Sequence, residues 1–148
     1  MKIRKLEEKA APLKLLLSAD PSLEHINDYL RRGNCYIAEE DSTLQAVYVL
    51  LPTKPGTVEL VNIAVEEKVQ NRGIGKLLVK DAVRRARLEG FKKIEVGTGN
   101  SSIDQLAFYQ KCGFRIVGVE FDFFTDYEEE IIENGIKCRD MIRLAQAL

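Results

Sequence analysis

Hydrophobic and polar residues alternate along several short segments of the chain and recur at helical spacing along others. Alternation and β-branched content predict seven strands, at Lys2–Leu6, Cys35–Glu39, Leu44–Leu51, Thr57–Val65, Lys92–Val96, Phe114–Phe124 and Cys138–Leu144. Helical spacing predicts four helices, at Pro12–Ala19, Asp20 to about Arg32, Gly73–Glu89 and Ile103–Cys112.

Residues at the predicted helix ends support these boundaries. Pro12 suits a first helical turn, where its missing N–H is not needed. Asp20-Pro21 fits an N-cap followed by the first residue of the second helix, and Gly33 fits the end of that helix. The proline and glycine content of residues 52–56 predicts a loop.

The order of the elements predicts one domain over residues 1–148. A strand, two helices, three strands, a helix, a strand, a helix and two strands are typical of helices packed on a largely antiparallel sheet. The 148 residues, 45% of them hydrophobic, are enough for a single substantial core. We therefore expect an α/β (α+β) fold, with a mixed and mostly antiparallel sheet of about six to seven strands flanked by about four helices.

Charge and composition exclude several classes of function. The chain has 22 Lys and Arg against 23 Asp and Glu, whereas a general nucleic-acid binder carries an excess of basic residues. No apolar run reaches the roughly 18 residues that a membrane span requires. Because no apolar signal core follows the basic residues 1–6, we expect a cytoplasmic protein that binds neither nucleic acid nor a membrane.

The cysteines and the histidine restrict the chemistry further. Cys35, Cys112 and Cys138 stand far apart, and His25 is the sole histidine. A metal site needs closely spaced ligands, so we predict no metal and three reduced thiols. A Ser–His or Cys–His nucleophile would depend on His25 alone, which favours Glu, Asp, Tyr or water as the catalyst.

The turn before the third helix has the properties of an anion site. The first N–H groups of a helix lack internal partners and carry partial positive charge. Gly73 and Gly75 let a phosphate approach the backbone closely, and Arg72 and Lys76 add positive charge. A tight turn that binds nothing is the alternative interpretation of the two glycines.

Two well-known phosphate-binding turns do not fit this segment. A P-loop requires Ser or Thr after its lysine, where Leu77 follows Lys76. A Rossmann turn requires a third glycine, where the chain has Leu78.

Two motifs resemble those of the GNAT acetyltransferases. Gln70-x-x-Gly73-x-Gly75 is similar to the family signature Gln/Arg-x-x-Gly-x-Gly/Ala, and Glu59–Val65 is similar to the strand that precedes it. Leu106–Phe114 resembles the family segment in which an apolar residue precedes Tyr-x-Lys-x-Gly-Phe. The resemblance covers nearly the whole chain, although the two ends match only in outline.

This resemblance implies the GNAT fold and acetyl-CoA as co-substrate. The CoA arm would lie where two parallel strands, 57–65 and 92–97, splay apart. The backbone of Ile63, Ala64 and Val65 would bind the pantetheine arm as an added strand does. The pyrophosphate would bind the backbone N–H groups of Gln70, Asn71, Arg72, Gly73, Ile74, Gly75 and Lys76.

The resemblance also implies two catalytic residues. Tyr109 matches the tyrosine that protonates the departing CoA thiolate; a packed aromatic without that role is the alternative. Glu59 lies 11 residues before Gln70, the spacing of the general base in the histone-acetylating branch of the family. An ordinary exposed glutamate is the alternative there, and the weaker candidates for the base are Asn62, Glu95 and Glu120.

One position departs from the family pattern. The family often places an asparagine seven residues before the tyrosine, where this chain has Ser102, and Asn100 lies nine residues before it. We assign both as candidate cofactor residues.

The segment 120–133 holds seven carboxylates and no Lys or Arg. One interpretation is a solvated loop and edge strand, and the other is a rim that attracts a cationic amine. The aromatic residues Phe121, Phe123, Phe124 and Tyr127 are interleaved with these carboxylates and are candidates to line a pocket.

We predict an N-acetyltransferase that moves the acetyl group of acetyl-CoA directly to a primary amine, and specifically to a small cationic amine. The alternatives are a protein lysine or N-terminal acetyltransferase and a non-catalytic CoA-binding module. Terminal strands that pair between subunits would produce a homodimer.

Overall fold

The alternating segments form one seven-stranded sheet in the computed structural model, which describes residues 1–7, 10–127 and 129–148. Its strands are β1 (Lys2–Lys5), β2 (Asn34–Glu40), β3 (Thr43–Lys54), β4 (Thr57–Val65), β5 (Lys93–Gly99), β6 (Arg115–Glu120) and β9 (Met141–Ala147). A separate hairpin consists of β7 (Ile132–Glu133) and β8 (Ile136–Lys137). The helices are α1 (Leu13–Ala19), α2 (Leu23–Arg32), α3 (Ile74–Leu88) and α4 (Ile103–Lys111).

The strand order is β1-β2-β3-β4-β5-β9-β6. The β4–β5 pair is parallel, and the other pairs are antiparallel. This confirms the predicted mixed, mostly antiparallel sheet with four helices and one parallel pair. The strand that comes last in sequence lies inside the sheet, between β5 and β6.

The two faces of the sheet bury separate apolar clusters, as the alternation in β3 requires. Tyr48 and Leu50 pack with the apolar residues of α3, and Val47 and Val49 pack with those of α1 and α2. These side chains are at most 2% exposed. Since successive strand residues point to opposite faces, β3 supplies both clusters and holds the helices in two layers.

An irregularity in β4 opens the parallel pair. Val49 pairs with Asn62 while the next residue, Leu50, pairs with Leu60, so Val61 is an extra residue in β4. The β4–β5 pairing ends at the same place, with Leu60 opposite Val96. Residues 61–65 therefore diverge from β5, and this confirms the predicted splay.

Several boundaries differ from those predicted. The N-cap of α2 is Ser22, because the carboxylate of Asp20 instead accepts hydrogen bonds from Ser22 N and the Tyr29 hydroxyl. Strand β3 continues through the predicted loop to Lys54, where an irregular register accommodates Pro52.

The C-terminal third shows larger differences. Strand β6 ends at Glu120, and Asp122 follows with a φ of 60° in a turn-rich segment. Phe and acidic residues alternate over 120–124 as they would in a strand, but residues after Glu120 form turns instead. The last strand begins at Met141 instead of Cys138. The β7–β8 hairpin turns through Asn134 and Gly135, which both have a positive φ.

Candidate functional site

The turn into α3 exposes the start of that helix. Gly73 is the N-cap, with a φ of 79° that favours glycine, and no side chain caps the first N–H groups. A Cβ atom on Gly73 would meet no atom within 4 Å, so the backbone is open to a ligand. A Cβ atom on Gly75 would lie 3.4 Å from Cζ of Phe108, so Gly75 lets α4 approach α3.

A cavity of about 670 Å³, the cofactor cleft, lies in front of this turn. The structure brings nine of the predicted cofactor residues to its wall, namely Ile63, Ala64, Val65, Gln70, Asn71, Gly73, Ile74, Gly75 and Lys76. Arg72 is exposed outside this lining. The Gln70 side chain donates to the Val65 carbonyl at 3.0 Å and so ties the loop to the end of β4.

A smaller groove of about 280 Å³ continues the cofactor cleft between α3 and α4. Lys76, Lys111 and Cys112 line both cavities. The groove adds three basic side chains, Lys80, Arg84 and Arg87, and has no acidic residue in its described lining. Arg84 also pairs with Asp81 at 2.9 Å. These three basic side chains, at helical spacing along α3, can hold phosphate beyond the helix N-terminus.

A second cavity of about 610 Å³ lies over the other side of the β4 bulge. We name it the acceptor cleft after the amine-binding role that the sequence predicts for this part of the chain. Its lining includes Glu59 and Val61 of β4 and the aromatic residues Tyr29, Phe123, Phe124 and Tyr127. Ser18 and Ala19 line both this cleft and the cofactor cleft. The last turn of α1 is thus the shared wall where the two cavities meet.

Glu59 is held by Arg143 of β9. Nη1 of Arg143 donates to Glu59 Oε2 at 3.2 Å, and Nη2 donates to Glu120 Oε2 at 3.1 Å. Burial raises the pKa of the Glu59 carboxyl; Arg143 opposes this rise, and Glu95 and Glu120 reinforce it. A carboxylate with a raised pKa is a stronger proton acceptor than an exposed one.

Gly97 makes room for this arrangement. A Cβ atom there would lie 3.0 Å from Nη1 of Arg143 and still closer to the Met141 side chain. Any larger residue would therefore displace the guanidinium that contacts Glu59. Neither Arg143 nor this use of Gly97 was predicted from the sequence.

Tyr109 lies on the buried side of α4, with 5% of its surface exposed. Its ring packs edge-on against Phe108 and Phe114, at centroid distances of 5.3 and 5.9 Å. It belongs to the apolar cluster that includes Ile74 and contacts Ile63, both of which line the cofactor cleft. Burial raises the pKa of Tyr109 well above its usual value, so the phenol stays protonated.

Asn100 and Ser102 form hydrogen bonds with residues in and directly after the β7–β8 hairpin. The side-chain oxygen Oδ1 of Asn100 accepts hydrogen bonds from the backbone N–H groups of Arg139 and Asp140. The side-chain nitrogen Nδ2 donates to the backbone carbonyl of Lys137. Ser102 lines the acceptor cleft and donates to Glu133 at 2.8 Å. Among the described cavity linings, neither residue contributes to the cofactor cleft.

A hydrogen-bonded chain that the sequence did not predict ties α1 and α2 to the bulge. Asn62, 4% exposed, donates to the Leu16 carbonyl at 3.1 Å and to the Tyr29 hydroxyl at 2.8 Å. Tyr29 in turn donates to Asp20. A lone asparagine among the apolar residues of β4 is the signal that a buried polar contact exists there.

The carboxylates of segment 120–133 differ in whether they lie near the acceptor cleft. Glu120 and Glu133 are bonded at the acceptor cleft, and Asp122 pairs with Arg139 at 3.9 Å on the surface. Asp126, Glu129 and Glu130 are not among the cleft-lining residues, and Glu128 lies outside the described residues. Phe121 is 77% exposed, while Phe123 and Phe124 line the cleft.

Metal ligands and membrane spans are absent from the part of the chain that the structure describes. It contains no group of three His, Cys, Asp or Glu side chains arranged to hold a metal ion. No helix within it is long and apolar enough to cross a bilayer.

Comparison with known proteins finds a matching family model and similar proteins. The profile of the acetyltransferase (GNAT) family matches residues 2–114. The uncharacterized N-acetyltransferase YvbK of Bacillus subtilis (strain 168) is 58% identical over 131 residues, which are 88% of this chain and 84% of that protein.

Two solved structures with high similarity contain the cofactor. A Bacillus subtilis acetyltransferase in complex with CoA is 54% identical, with a TM-score of 0.95 over 99% of this chain and 98% of that one. A GNAT family acetyltransferase from Elizabethkingia anophelis with acetyl-CoA bound is 46% identical, with a TM-score of 0.96 over 99% of this chain and 97% of that one.

Proposed function

Because the chain belongs to the GNAT family of acetyltransferases and is an acetyl-CoA-dependent N-acetyltransferase, we propose that it transfers the acetyl group directly to a small cationic amine. The observation that carries this proposal is the meeting of the two cavities at Ser18 and Ala19, beside the β4 bulge. A CoA arm that runs along β4 from the turn before α3 places its thioester end where the acceptor cleft begins.

The donor side binds acetyl-CoA through backbone groups. The uncapped N–H groups at the start of α3 take the pyrophosphate, and Lys76 adds a formal positive charge. The edge of Ile63, Ala64 and Val65 that does not pair with β5 binds the pantetheine arm, which lies beside β4 as an added strand would. N–H groups of this edge also polarise the thioester carbonyl.

The basic groove between α3 and α4 extends the same site. Its position next to Lys76 and Lys111 suits the phosphorylated ribose end of the cofactor. Acetyl-CoA carries its negative charge at that end and none at the thioester. The positive groove thus orients the cofactor with its acetyl group toward the acceptor cleft.

In the reaction, the amine nitrogen forms a bond to the acetyl carbon, and the bond from that carbon to the CoA sulfur breaks. The ammonium form of the amine first loses one proton to Glu59, directly or through water, and Glu59 passes it to solvent. The nitrogen loses a second proton after the bond to the acetyl carbon has formed, and this proton replaces the one that Tyr109 gives up. The CoA thiolate gains one proton, which Tyr109 donates. Burial keeps the Tyr109 phenol protonated and raises the pKa of Glu59, which makes its carboxylate a stronger proton acceptor; both effects support these roles.

The acceptor class follows from the charge of the second cleft. Asp20, Asp28, Glu59 and Glu133 line it. Asp28 is paired with Arg31 and Arg32, and Glu59 with Arg143, so Asp20 and Glu133 carry the excess negative charge. An amine is a cation before it loses its proton, so this lining concentrates it. The aromatic wall of Phe123, Phe124 and Tyr127 packs the carbon skeleton and adds cation–π attraction.

A panel of amines with acetyl-CoA tests the proposal by the release of free thiol. Polyamines, aminoglycoside-like amines, neutral amines and amino acids of matched size are compared by kcat/KM. We expect the cationic small amines to be preferred. A preference for anionic amino acids would refute the acceptor class. Acetylation confined to peptide lysines or N-termini would identify a protein acceptor instead.

A further inference from the structure

Asp20 lines the acceptor cleft directly after the wall that this cleft shares with the cofactor cleft. The shared wall is Ser18 and Ala19 at the end of α1, and Asp20 is the next residue. Its side chain is half-buried, and within the described part of the chain no Lys, Arg or His forms an ion pair with it. Because carboxylates are ionised near neutral pH, Asp20 brings a negative charge to the cleft that no described cation neutralises.

A chain of hydrogen bonds holds the Asp20 carboxylate in place. The Leu16 carbonyl can only accept, so Nδ2 of Asn62 donates to it at 3.1 Å and also donates to the Tyr29 hydroxyl at 2.8 Å. The Tyr29 hydroxyl gives its own hydrogen to Oδ2 of Asp20 at 3.1 Å. Oδ1 accepts from the backbone N–H of Ser22 at 3.0 Å. The carboxylate is therefore positioned before any ligand binds.

Asp20 and Glu59 line one cavity but are held by different residues. Glu59 pairs across the sheet with Leu51, and Asn62 pairs with Val49. Leu51 and Val49 both belong to the apolar cluster of α1 and α2, so the bulge leaves Glu59 and Asn62 on the same face of β4. Two residues along a strand span about 7 Å, so these two side chains have neighbouring but separate positions. The cavity thus has one anionic position at Glu59 and another at the end of the Asn62 hydrogen-bonded chain.

We propose that Asp20 binds a second cationic group of the acceptor while the reacting amine lies beside Glu59. The acceptor is then a diamine or a longer polyamine, with one nitrogen at each carboxylate. This inference rests on the proposed function, because it names the kind of small cationic amine that the cleft takes. Asp20 contacts the end of the acceptor that does not react, so it determines specificity and takes no part in the proton transfers.

Aromatic side chains share the cavity with Asp20. Tyr29, Phe124 and Tyr127 are in its lining, and the Tyr127 ring lies 5.3 Å from that of Phe124 and 5.8 Å from that of His25 between centroids. Burial, and next the charge of Asp20, raises the pKa of Tyr127 to about 12, so this ring lies within the field of the carboxylate. A carboxylate near aromatic rings binds an ammonium group both by its charge and by cation–π attraction.

The other acidic residues of the cleft are less suited to this role. Asp28 is paired with Arg31 at 2.9 Å and with Arg32 at 2.6 Å. Glu133 is exposed, so solvent and salt screen its charge more strongly. Asp20 combines partial burial with the absence of a described cationic partner. Its charge is therefore the one that best distinguishes a second ammonium group from an apolar chain end.

Paired acceptors test the proposal through initial rates of thiol release. Each linear diamine is compared with the monoamine of the same length in which a methyl group replaces the second ammonium. The wild type should have a kcat/KM about 10-fold or more higher for the diamine, as expected for a hydrogen bond between charged groups. Asp20→Asn keeps a hydrogen-bond acceptor and removes the charge, so it should remove this preference by raising KM for the diamine alone. Glu59→Gln should lower kcat for both acceptors.

A second variant tests the positioning of Asp20. Tyr29→Phe removes the hydroxyl that holds Oδ2 of Asp20, so the preference for the diamine should fall while kcat/KM for the monoamine changes less. Asp104→Asn is the matched control, because it makes the same substitution on an exposed residue of α4 outside the described cleft lining. It should keep the wild-type preference. Thermal melting verifies that every variant is folded.

Failure of this inference can be distinguished from failure of the proposed function. If the wild type acetylates no small cationic amine, both are overturned. If it acetylates monoamines as well as the matched diamines, the role of Asp20 alone is overturned. The same conclusion follows if Asp20→Asn lowers kcat/KM for both acceptors to the same extent, because a merely structural residue would have that effect.

Discussion

Arg143 donates a hydrogen bond to Glu59 at 3.2 Å and so connects the last strand of the sheet to the carboxylate proposed as the general base. It opposes the effect of burial on the pKa of that carboxyl. Arg143→Gln keeps hydrogen-bonding capacity but removes the charge. We expect the pKa of Glu59 to rise, so the acidic limb of the pH profile of kcat/KM moves to higher pH.

The matched control for this variant is Arg139→Gln. Arg139 is exposed and pairs with Asp122 instead of Glu59, so its loss should leave the limb in place. If both variants give the wild-type profile, the limb belongs to another group and Glu59 is not the base.

Glu59→Gln tests the base directly. The rate should fall about 100-fold at neutral pH, in the range usual for loss of one acid–base group. The loss should be smaller at high pH, since an amine with a pKa of about 10.4 is then largely deprotonated without help. Initial rates across pH at saturating acetyl-CoA measure this. A loss of equal size at every pH would indicate that Glu59 positions the substrate.

The raised pKa of Glu59 also makes the free energy of unfolding depend on pH. A raised pKa means that the folded state binds the Glu59 proton more tightly than the unfolded chain, whose value is about 4.3. The stability gained from this proton is complete below the unfolded value and is lost as pH rises through the folded value. Urea unfolding should therefore show the wild type losing stability relative to Glu59→Gln as pH rises through this window.

Gly73→Val should abolish the rise in melting temperature that acetyl-CoA causes, because the new side chain occupies the open space before α3. Gly90→Val is the control. Gly90 has a similar left-handed φ of 90°, also with nothing within 4 Å, so the backbone penalty is comparable. The control should melt at a similar lowered temperature and keep the acetyl-CoA shift. Equal shifts in the two variants would show that the phosphate binds elsewhere.

Tyr109→Phe removes one hydroxyl from a residue that is 5% exposed. Turnover should fall about 10- to 1000-fold with little change in acetyl-CoA affinity, as loss of one proton donor predicts. Tyr36→Phe serves as the control because Tyr36 is similarly buried, at 3%, and stacks on Tyr48 away from the clefts. Wild-type turnover in Tyr109→Phe would leave Tyr109 with a packing role alone.

Glu133→Gln tests the charge of the acceptor cleft. The glutamine still accepts hydrogen bonds from Ser101 and Ser102, so the local structure is kept while one negative charge is lost. We expect KM for a cationic amine to rise several-fold and KM for acetyl-CoA to stay constant. Glu130→Gln, on an exposed residue outside the cleft lining, should change neither. Added salt should raise the wild-type KM for the amine.

Nine of the residues predicted to bind the cofactor line one cavity, whereas the residues of the acceptor cleft were not predicted as a group. The strand, turn and helix from 57 to 89 are contiguous, and their periodicity and glycines specify them locally. The acceptor cleft is assembled from distant segments: Arg143 lies 84 residues after Glu59, and no local pattern pairs them. The Phe and acidic residues of 120–124 were assigned to a strand because alternation alone cannot distinguish a strand from a turn whose aromatic residues line a cleft.

The placement of β9 between β5 and β6 has a consequence for synthesis on the ribosome. Chains emerge N-terminus first and begin to fold as they do. Strands β1 to β5 can assemble when about two thirds of the chain has emerged, but β6 has no neighbour to join until β9 arrives. Until then its apolar residues remain without a sheet. Arg143 lies on the same strand, so its hydrogen bond to Glu59 in the acceptor cleft also forms only after β9 has been synthesised.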